Sequence, residues 1–183
     1  MPNIFHRIKQ ILSSKTRKPQ SWKDIEHFDP QWEERIKLMA RYIKTGESVL
    51  DLGCGTMTLA QIRTDIDYFP VDYAKRSPDT IVCDFNKKEF PSRFTDVGFV
   101  SGCLEYVEDY EWFIGKICAG CQRAIISYCT TDQFPDKSER IKNNWVNNLS
   151  EKNIVDLFRG NRFALRSKTK TVTRNSIFVF ESE

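Results

Sequence analysis

From residue 48 onward the apolar positions come in short continuous runs rather than in alternation with polar ones. Five such runs, SVLDLG at 48–53, DYFPVDY at 67–73, TIVCDFN at 80–86, DVGFVSG at 96–102 and RAIISYCT at 123–130, are separated by turn residues or helical stretches. Continuous hydrophobicity in segments too short for a helix predicts strands covered on both faces, and several of them predict a mostly parallel sheet with helices on each side. Helical spacing fits between the runs: a short helix after Gly55, another near 109–118, and a pair between Ser138 and Phe158. The last two runs, FALRSKTKTV at 163–172 and SIFVFES at 176–182, lie too close for a crossover helix, so they are predicted to pair as an antiparallel hairpin at the sheet edge. The expected class is α/β, with seven strands.

The pattern before residue 48 has a different period. Trp32, Ile36, Met39, Ala40 and Ile43 share one helical face, which predicts a helix from about Asp29 to Ile43 with Pro30 in its first turn and Gly46 as its stop. Ile4, Phe5, Ile8, Ile11 and Leu12 also recur at helical spacing, in a segment that contains basic residues but no acid. Of the 28 Lys and Arg, six lie in residues 1–23, leaving 22 against all 25 acids, a net of −3 for the remainder. Residues 1–28 therefore read as a basic arm that packs on its own domain or makes a weak contact with a membrane surface or protein, and residues 29–183 as one domain.

Composition narrows the class further. A formal charge of +3 and 40% hydrophobic content suit neither a disordered chain nor a strongly cationic nucleic-acid binder. No apolar run approaches the roughly 18–20 residues of a membrane span, and the amino terminus lacks a small-residue cleavage site, which predicts a cytoplasmic location. Of the six cysteines, Cys54, Cys83, Cys103 and Cys129 each sit in an apolar or Gly-rich stretch, which agrees with a reducing compartment. Cys118 and Cys121 form the sole CxxC; with no second pair and no His at zinc spacing, no metal site is expected.

The candidate chemistry is concentrated in Asp51-Leu52-Gly53-Cys54-Gly55-Thr56-Met57, placed between a predicted strand and helix. Gly53 and Gly55 let the backbone turn sharply and approach a ligand closely, beside the unsatisfied N–H groups of the next helix. A dinucleotide loop would continue GxGxxG, but residue 58 is Thr, and the acid before the first Gly points to a cationic ligand. In this stretch the sequence resembles the class I S-adenosylmethionine-dependent methyltransferases, whose first motif reads D/E-x-G-x-G-x-G; Met57 stands where the third Gly usually is. Three further segments follow the family's order: Asp72, 19 residues after Gly53, at the end of the second strand; Asp84 and Phe85 after the third; and Ser101-Gly102-Cys103-Leu104-Glu105-Tyr106-Val107 after the fourth, with Tyr106 replacing the usual His.

The resemblance implies a Rossmann-like sheet and S-adenosyl-L-methionine as cofactor. It implies a binding set of Asp51, Gly53, Cys54, Gly55, Asp72, Tyr73, Asp84, Phe85 and Ser101, with Asp51 near the ammonium group, Asp72 on the ribose and Asp84 with Phe85 at the adenine. Asp72 and Asp84 have an alternative reading as helix caps. Methyl transfer is dominated by positioning, and Glu105, Tyr106, Tyr128 and Asp132 are the candidate bases at strand ends, Glu105 and Tyr106 foremost. Phe134, Trp145 and the asparagines at 143, 144, 147 and 148 suggest a small polar acceptor, a saccharide among the choices. The alternative is a non-catalytic methyltransferase-like binding module.

Overall fold

The structure is a computed structural model that describes residues 30–183. The amphipathic segment at 4–12, His6, Trp22, His27, Phe28 and the predicted helix start at Asp29 lie outside the described residues. A seven-stranded sheet runs through the domain in the order β3-β2-β1-β4-β5-β7-β6. Its strands are β1 (Ser48–Leu52), β2 (Asp67–Asp72), β3 (Ile81–Val82), β4 (Thr95–Ser101), β5 (Cys121–Tyr128), β6 (Phe163–Lys170) and β7 (Ser176–Ser182). The helices are α1 (Pro30–Ala40), α2 (Thr58–Ile62), α3 (Tyr110–Gly120), α4 (Lys137–Lys142) and α5 (Glu151–Gly160). Strands β1 to β5 pair in parallel, and β7 inserts antiparallel between β5 and β6. The expected hairpin is present, with β7 rather than β6 against the parallel strands.

Continuous hydrophobic runs are needed because both faces are covered. In β1, Val49 packs with Ile36, Met39 and Ile43 of the α1 side, whereas Leu50 and Leu52 face the α3 and α5 side. The same division splits Ile125 from Ala124 and Ile126 in β5, and Ile177 and Val179 from Phe178 and Phe180 in β7. Each of these side chains is almost wholly removed from water, and burying one such side chain contributes roughly 1.5–3 kcal/mol.

One strand expectation shifts. The third run, predicted as a strand over 80–86, pairs only at Ile81–Val82, because Asp84 turns the chain by accepting the Asn86 N–H and opening a 3-10 turn at Phe85–Lys87. The CxxC cysteines mark a junction: Cys118 lies in α3 and Cys121 opens β5, its thiol donating to the Ile117 carbonyl at 3.2 Å. Burial pushes both thiols up to about 12, and no cluster able to hold a metal ion exists among the described residues. No helix among the described residues is long and apolar enough to cross a membrane.

Candidate active site

The carboxyl ends of the parallel strands open onto one cleft of about 1090 Å³, the position where open α/β sheets bind ligands and a size at the top of the usual range for ligand pockets. Its first wall is backbone. After β1 the chain turns at Gly53, whose φ of +85° and a space that leaves a Cβ only 2.8 Å from Cys103 require glycine. Two N–H groups of the turn, Gly53 and Cys54, donate to the Val71 carbonyl of β2, and the Gly55 N–H donates to Asp72 Oδ2 at 3.0 Å. The turn is thereby tied to β2 on one side. Met57 continues it with a left-handed φ of 57° as the residue before α2, which explains why a third glycine suits that position.

Asp72 is 4% exposed, and both its oxygens are engaged: Oδ2 with Gly55, Oδ1 with the Ala74 N–H at 3.0 Å and the Arg76 Nε at 3.3 Å. Asp84 caps its 3-10 turn and pairs with Lys87 at 3.4 Å. It nevertheless lines the cleft beside Phe85, as Gly53, Gly55, Asp72, Tyr73 and Ser101 do. Asp51 and Cys54 are placed behind the turn instead, outside the cleft lining. The Asp51 carboxylate accepts the Tyr68 hydroxyl at 2.7 Å, and burial pushes its pKa up to about 7 against the lowering effect of that bond. Burial also raises the Cys54, Cys103 and Cys129 thiols, so none of the three is a thiolate at neutral pH.

The structure brings in residues that no sequence motif marks. Arg35 of α1 is only 8% exposed, yet its guanidinium lines the cleft, with Nε donating to Ser101 Oγ at 3.0 Å and Nη1 to Asn175 Oδ1 at 3.3 Å. Gly102 is held at φ +65° directly under it, and a Cβ there would stand 2.6 Å from Nη2. No carboxylate among the described residues lies within 4.0 Å of Arg35, and burial lowers its pKa while the nearby Glu105 raises it. The single cue in the sequence is a cation on the apolar face of α1, next to Ile36 and one turn from Met39.

Glu105 and Tyr106 also line the cleft, in a 3-10 turn after β4. Glu105 is 1% exposed; its Oε1 accepts the Cys129 N–H at 2.9 Å and its Oε2 has no hydrogen-bond partner. Desolvation raises its pKa, opposed by hydrogen bonds and by Arg35. The Tyr106 hydroxyl accepts Trp145 Nε1–H at 3.3 Å, and burial raises its pKa, with the Glu105 charge adding to the rise. Two other strand-end candidates are elsewhere. Tyr128 sits inside the core, bonded to Asn147, and Asp132 accepts the Glu151 N–H at the start of α5.

No protein-family model and no curated protein sequence matches the chain. Solved structures do match in shape. Magnesium protoporphyrin IX methyltransferase from Synechocystis PCC 6803 with bound S-adenosylhomocysteine is 13% identical, with 98% of this chain aligned to 94% of that one at a TM-score of 0.68. A Haloferax volcanii putative methyltransferase in complex with the Trm112 activator is 13% identical, with 83% aligned to 90% at 0.68. The 1,6-didemethyltoxoflavin-N1-methyltransferase of Burkholderia thailandensis, with its namesake ligand and S-adenosylhomocysteine bound, is 14% identical over 100% of this chain and 92% of that one at 0.65. The fold of this chain is that of the class I S-adenosylmethionine-dependent methyltransferases.

Proposed function

We propose that the chain is an S-adenosylmethionine-dependent methyltransferase acting on a small polar acceptor, in the cytoplasm. The observation that carries this reading is one cleft in which the Gly53–Gly55 turn, the Asp72 carboxylate, the Asp84–Phe85 pair and the Arg35 guanidinium converge. These groups fit the cofactor piece by piece. The glycine turn leaves room for the methionyl backbone, and Arg35 is a buried cation suited to its carboxylate. Asp72 suits the two ribose hydroxyls once Arg76 shifts from Oδ1, and Asp84 with Phe85 suits the amino group and face of the adenine. Ser101 holds Arg35 in place rather than meeting the ligand alone.

S-adenosylmethionine held there would supply a methyl group on a sulfonium to the acceptor's lone pair, with the carbon–sulfur electron pair going to sulfur to leave S-adenosylhomocysteine. This chain's residues mainly position: bringing the reacting atoms to about 3–3.5 Å in line is worth roughly 7–11 kcal/mol. Glu105 is the proposed base: its Oε2 is left without a hydrogen-bond partner by the bond from Cys129, and because that oxygen is shut off from water the side chain must turn toward the cleft to take the acceptor proton. Burial raises its pKa above the ordinary carboxylate value, which strengthens it as a base.

Calorimetry and thermal shift with S-adenosylhomocysteine test the reading. At 100 times its dissociation constant the ligand adds about 2.7 kcal/mol, a rise in Tm of roughly 5–11 °C for a chain of this size. Asp72→Ala should weaken binding roughly 10- to 150-fold, the worth of hydrogen bonds to a charged group. No heat with either form of the cofactor, and binding of NAD instead, would overturn it.

A further inference from the structure

The half of the cleft away from the glycine turn is walled by aromatic side chains from separate segments: Tyr106 after β4, Phe134 after β5 and Trp145 after α4. Phe134 and Trp145 meet edge to face, with centroids 5.3 Å apart at 89°. Both rings carry a guanidinium that does not itself line the cleft. Arg140 lies 4.8 Å from the Trp145 centroid, and Arg174 lies 4.2 Å from that of Phe134. A cation on one face of a ring draws its π density away from the other surfaces, so these walls are poor platforms for the partly positive C–H groups of a sugar and good ones for an electron-rich π system. Lys142 at the cleft edge adds a further positive charge.

The asparagines that suggest a polyol are largely spent on the scaffold. Asn147 donates to the Leu104 and Val107 carbonyls and accepts from Tyr128, Asn148 accepts from Arg140 Nε, and Asn143 donates to the Glu139 carbonyl. At the rim, Ile141 and Val146 are 72% and 51% exposed, which lends the entrance an apolar lip. Resting on the methyltransferase reading above, we infer that the acceptor is a flat, electron-rich aromatic ring bearing a hydroxyl nucleophile, seated against Tyr106, Phe134 and Trp145.

Three probes decide this: catechol, trans-1,2-cyclohexanediol with a similar hydroxyl pair but no π face, and methyl α-glucoside. Each is titrated calorimetrically into the protein with and without saturating S-adenosylhomocysteine. Catechol is expected to bind at least about tenfold more tightly than the diol, a difference that aromatic contacts of ordinary strength supply. Trp145→Leu should bring the ratio close to one. Arg174→Gln, a surface change that leaves every wall residue in place, should weaken catechol several-fold. Equal affinity for catechol and the diol, tighter binding of the glucoside, no catechol heat in either state, or a ratio unmoved in both variants would overturn the inference. The cofactor titration of the unaltered protein is scored separately, so absence of S-adenosylhomocysteine binding rejects the methyltransferase reading without touching the catechol result.

Discussion

The glycine-turn half of the cleft, proposed for the cofactor, is built largely from backbone at strand ends, whereas the aromatic half, proposed for the acceptor, is built from side chains that arrive from distant segments. In the first, Gly53, Cys54 and Gly55 bond to Val71 and Asp72 of the neighbouring strand, so one motif and one strand end form the turn, with Arg35 and the Asp84–Phe85 pair added from other segments. In the second, Arg140 is the organising group. It is 2% exposed and donates Nη1 to the Cys129 carbonyl at 2.7 Å, Nη2 to the Tyr128 hydroxyl and the Asn147 carbonyl at 3.0 Å, and Nε to Asn148 at 2.7 Å. The Cys129 peptide is gripped at both ends, its N–H by Glu105 and its carbonyl by Arg140. A wall of backbone tolerates side-chain change. A wall of interlocked side chains does not, because removing one group such as Arg140 strands the partners it bonds.

The sharpest division between the halves should appear at Glu105. Gln in its place keeps an oxygen for the Cys129 N–H but cannot take a proton, so Glu105→Gln should lower kcat about 10²–10⁴-fold while S-adenosylhomocysteine affinity stays within a few-fold. On the proposed reading, Glu105 of the unaltered protein must be ionised to act as the base. Since burial raises the Glu105 pKa, turnover should be lost as pH falls through a point above the ordinary carboxylate range. Rates measured from pH 5 to 9 on both proteins check this; an unchanged kcat in the variant would leave Glu105 as a clamp on the Cys129 peptide.

Next in size is Arg140→Met. The change strands the Cys129 and Asn147 carbonyls and the Asn148 amide oxygen, and unsatisfied buried groups cost about 1–3 kcal/mol each, so a loss of about 3–5 kcal/mol in urea unfolding is expected. Below the unfolding transition the variant should still bind S-adenosylhomocysteine, because none of Arg140's partners belongs to the glycine turn. Loss of cofactor binding in the folded variant would show that the halves are not separable.

The two halves were also unequally legible in the sequence. The glycine turn, Asp72, Asp84 and Phe85 are local signals: turn chemistry and a strand-end acid can be read within one segment, and the seven strands followed from continuous apolar runs. Arg35 reaches Asn175 across 140 positions, and Trp145 reaches Tyr106 across 39. No pattern in one chain announces such pairings, which depend on how α1 and the segment after α4 settle over the sheet. For the same reason the asparagines at 147 and 148 read as free amide donors when they are the partners of Tyr128 and Arg140. Asp51 is the reverse case, a motif residue whose carboxylate accepts the Tyr68 hydroxyl behind the turn, a contact no motif announces.

That burial of Asp51 has a pH signature. Its folded pKa of about 7 lies above the unfolded value of about 3.9, so the folded state holds the proton more tightly and the residue's contribution to stability falls as pH rises from about 4 to 7. The loss amounts to as much as about 4 kcal/mol. Asp51→Asn resembles the protonated form and keeps an acceptor for Tyr68. It should therefore match the natural protein at low pH and exceed it by about 2–4 kcal/mol at pH 8, as read by urea unfolding at the two pH values. Equal slopes with pH in the two proteins would mean that Asp51 stays ionised, with a cation in place to hold it so.

The smallest effect concerns Met57 and bears on whether the backbone half is competent as it stands. Met57 occupies a left-handed conformation, φ 57° and ψ 37°, that costs a non-glycine residue roughly 1–2 kcal/mol. Glycine relieves this strain but loses more freedom on folding, by about 0.5–1 kcal/mol, so Met57→Gly should stabilise the protein by about 1 kcal/mol or less. The Met57 side chain is not part of the cleft lining, so removing it opens no new space for a ligand, and S-adenosylhomocysteine affinity should move by no more than a few-fold. A degenerate, non-catalytic module in which Met57 blocks the cofactor predicts the opposite: no binding by the natural chain and a gain of an order of magnitude or more on substitution. Calorimetric titration of both proteins with S-adenosylhomocysteine separates the two, and a large gain from Met57→Gly would mean that the glycine turn, intact at Gly53 and Gly55, is closed by its next residue.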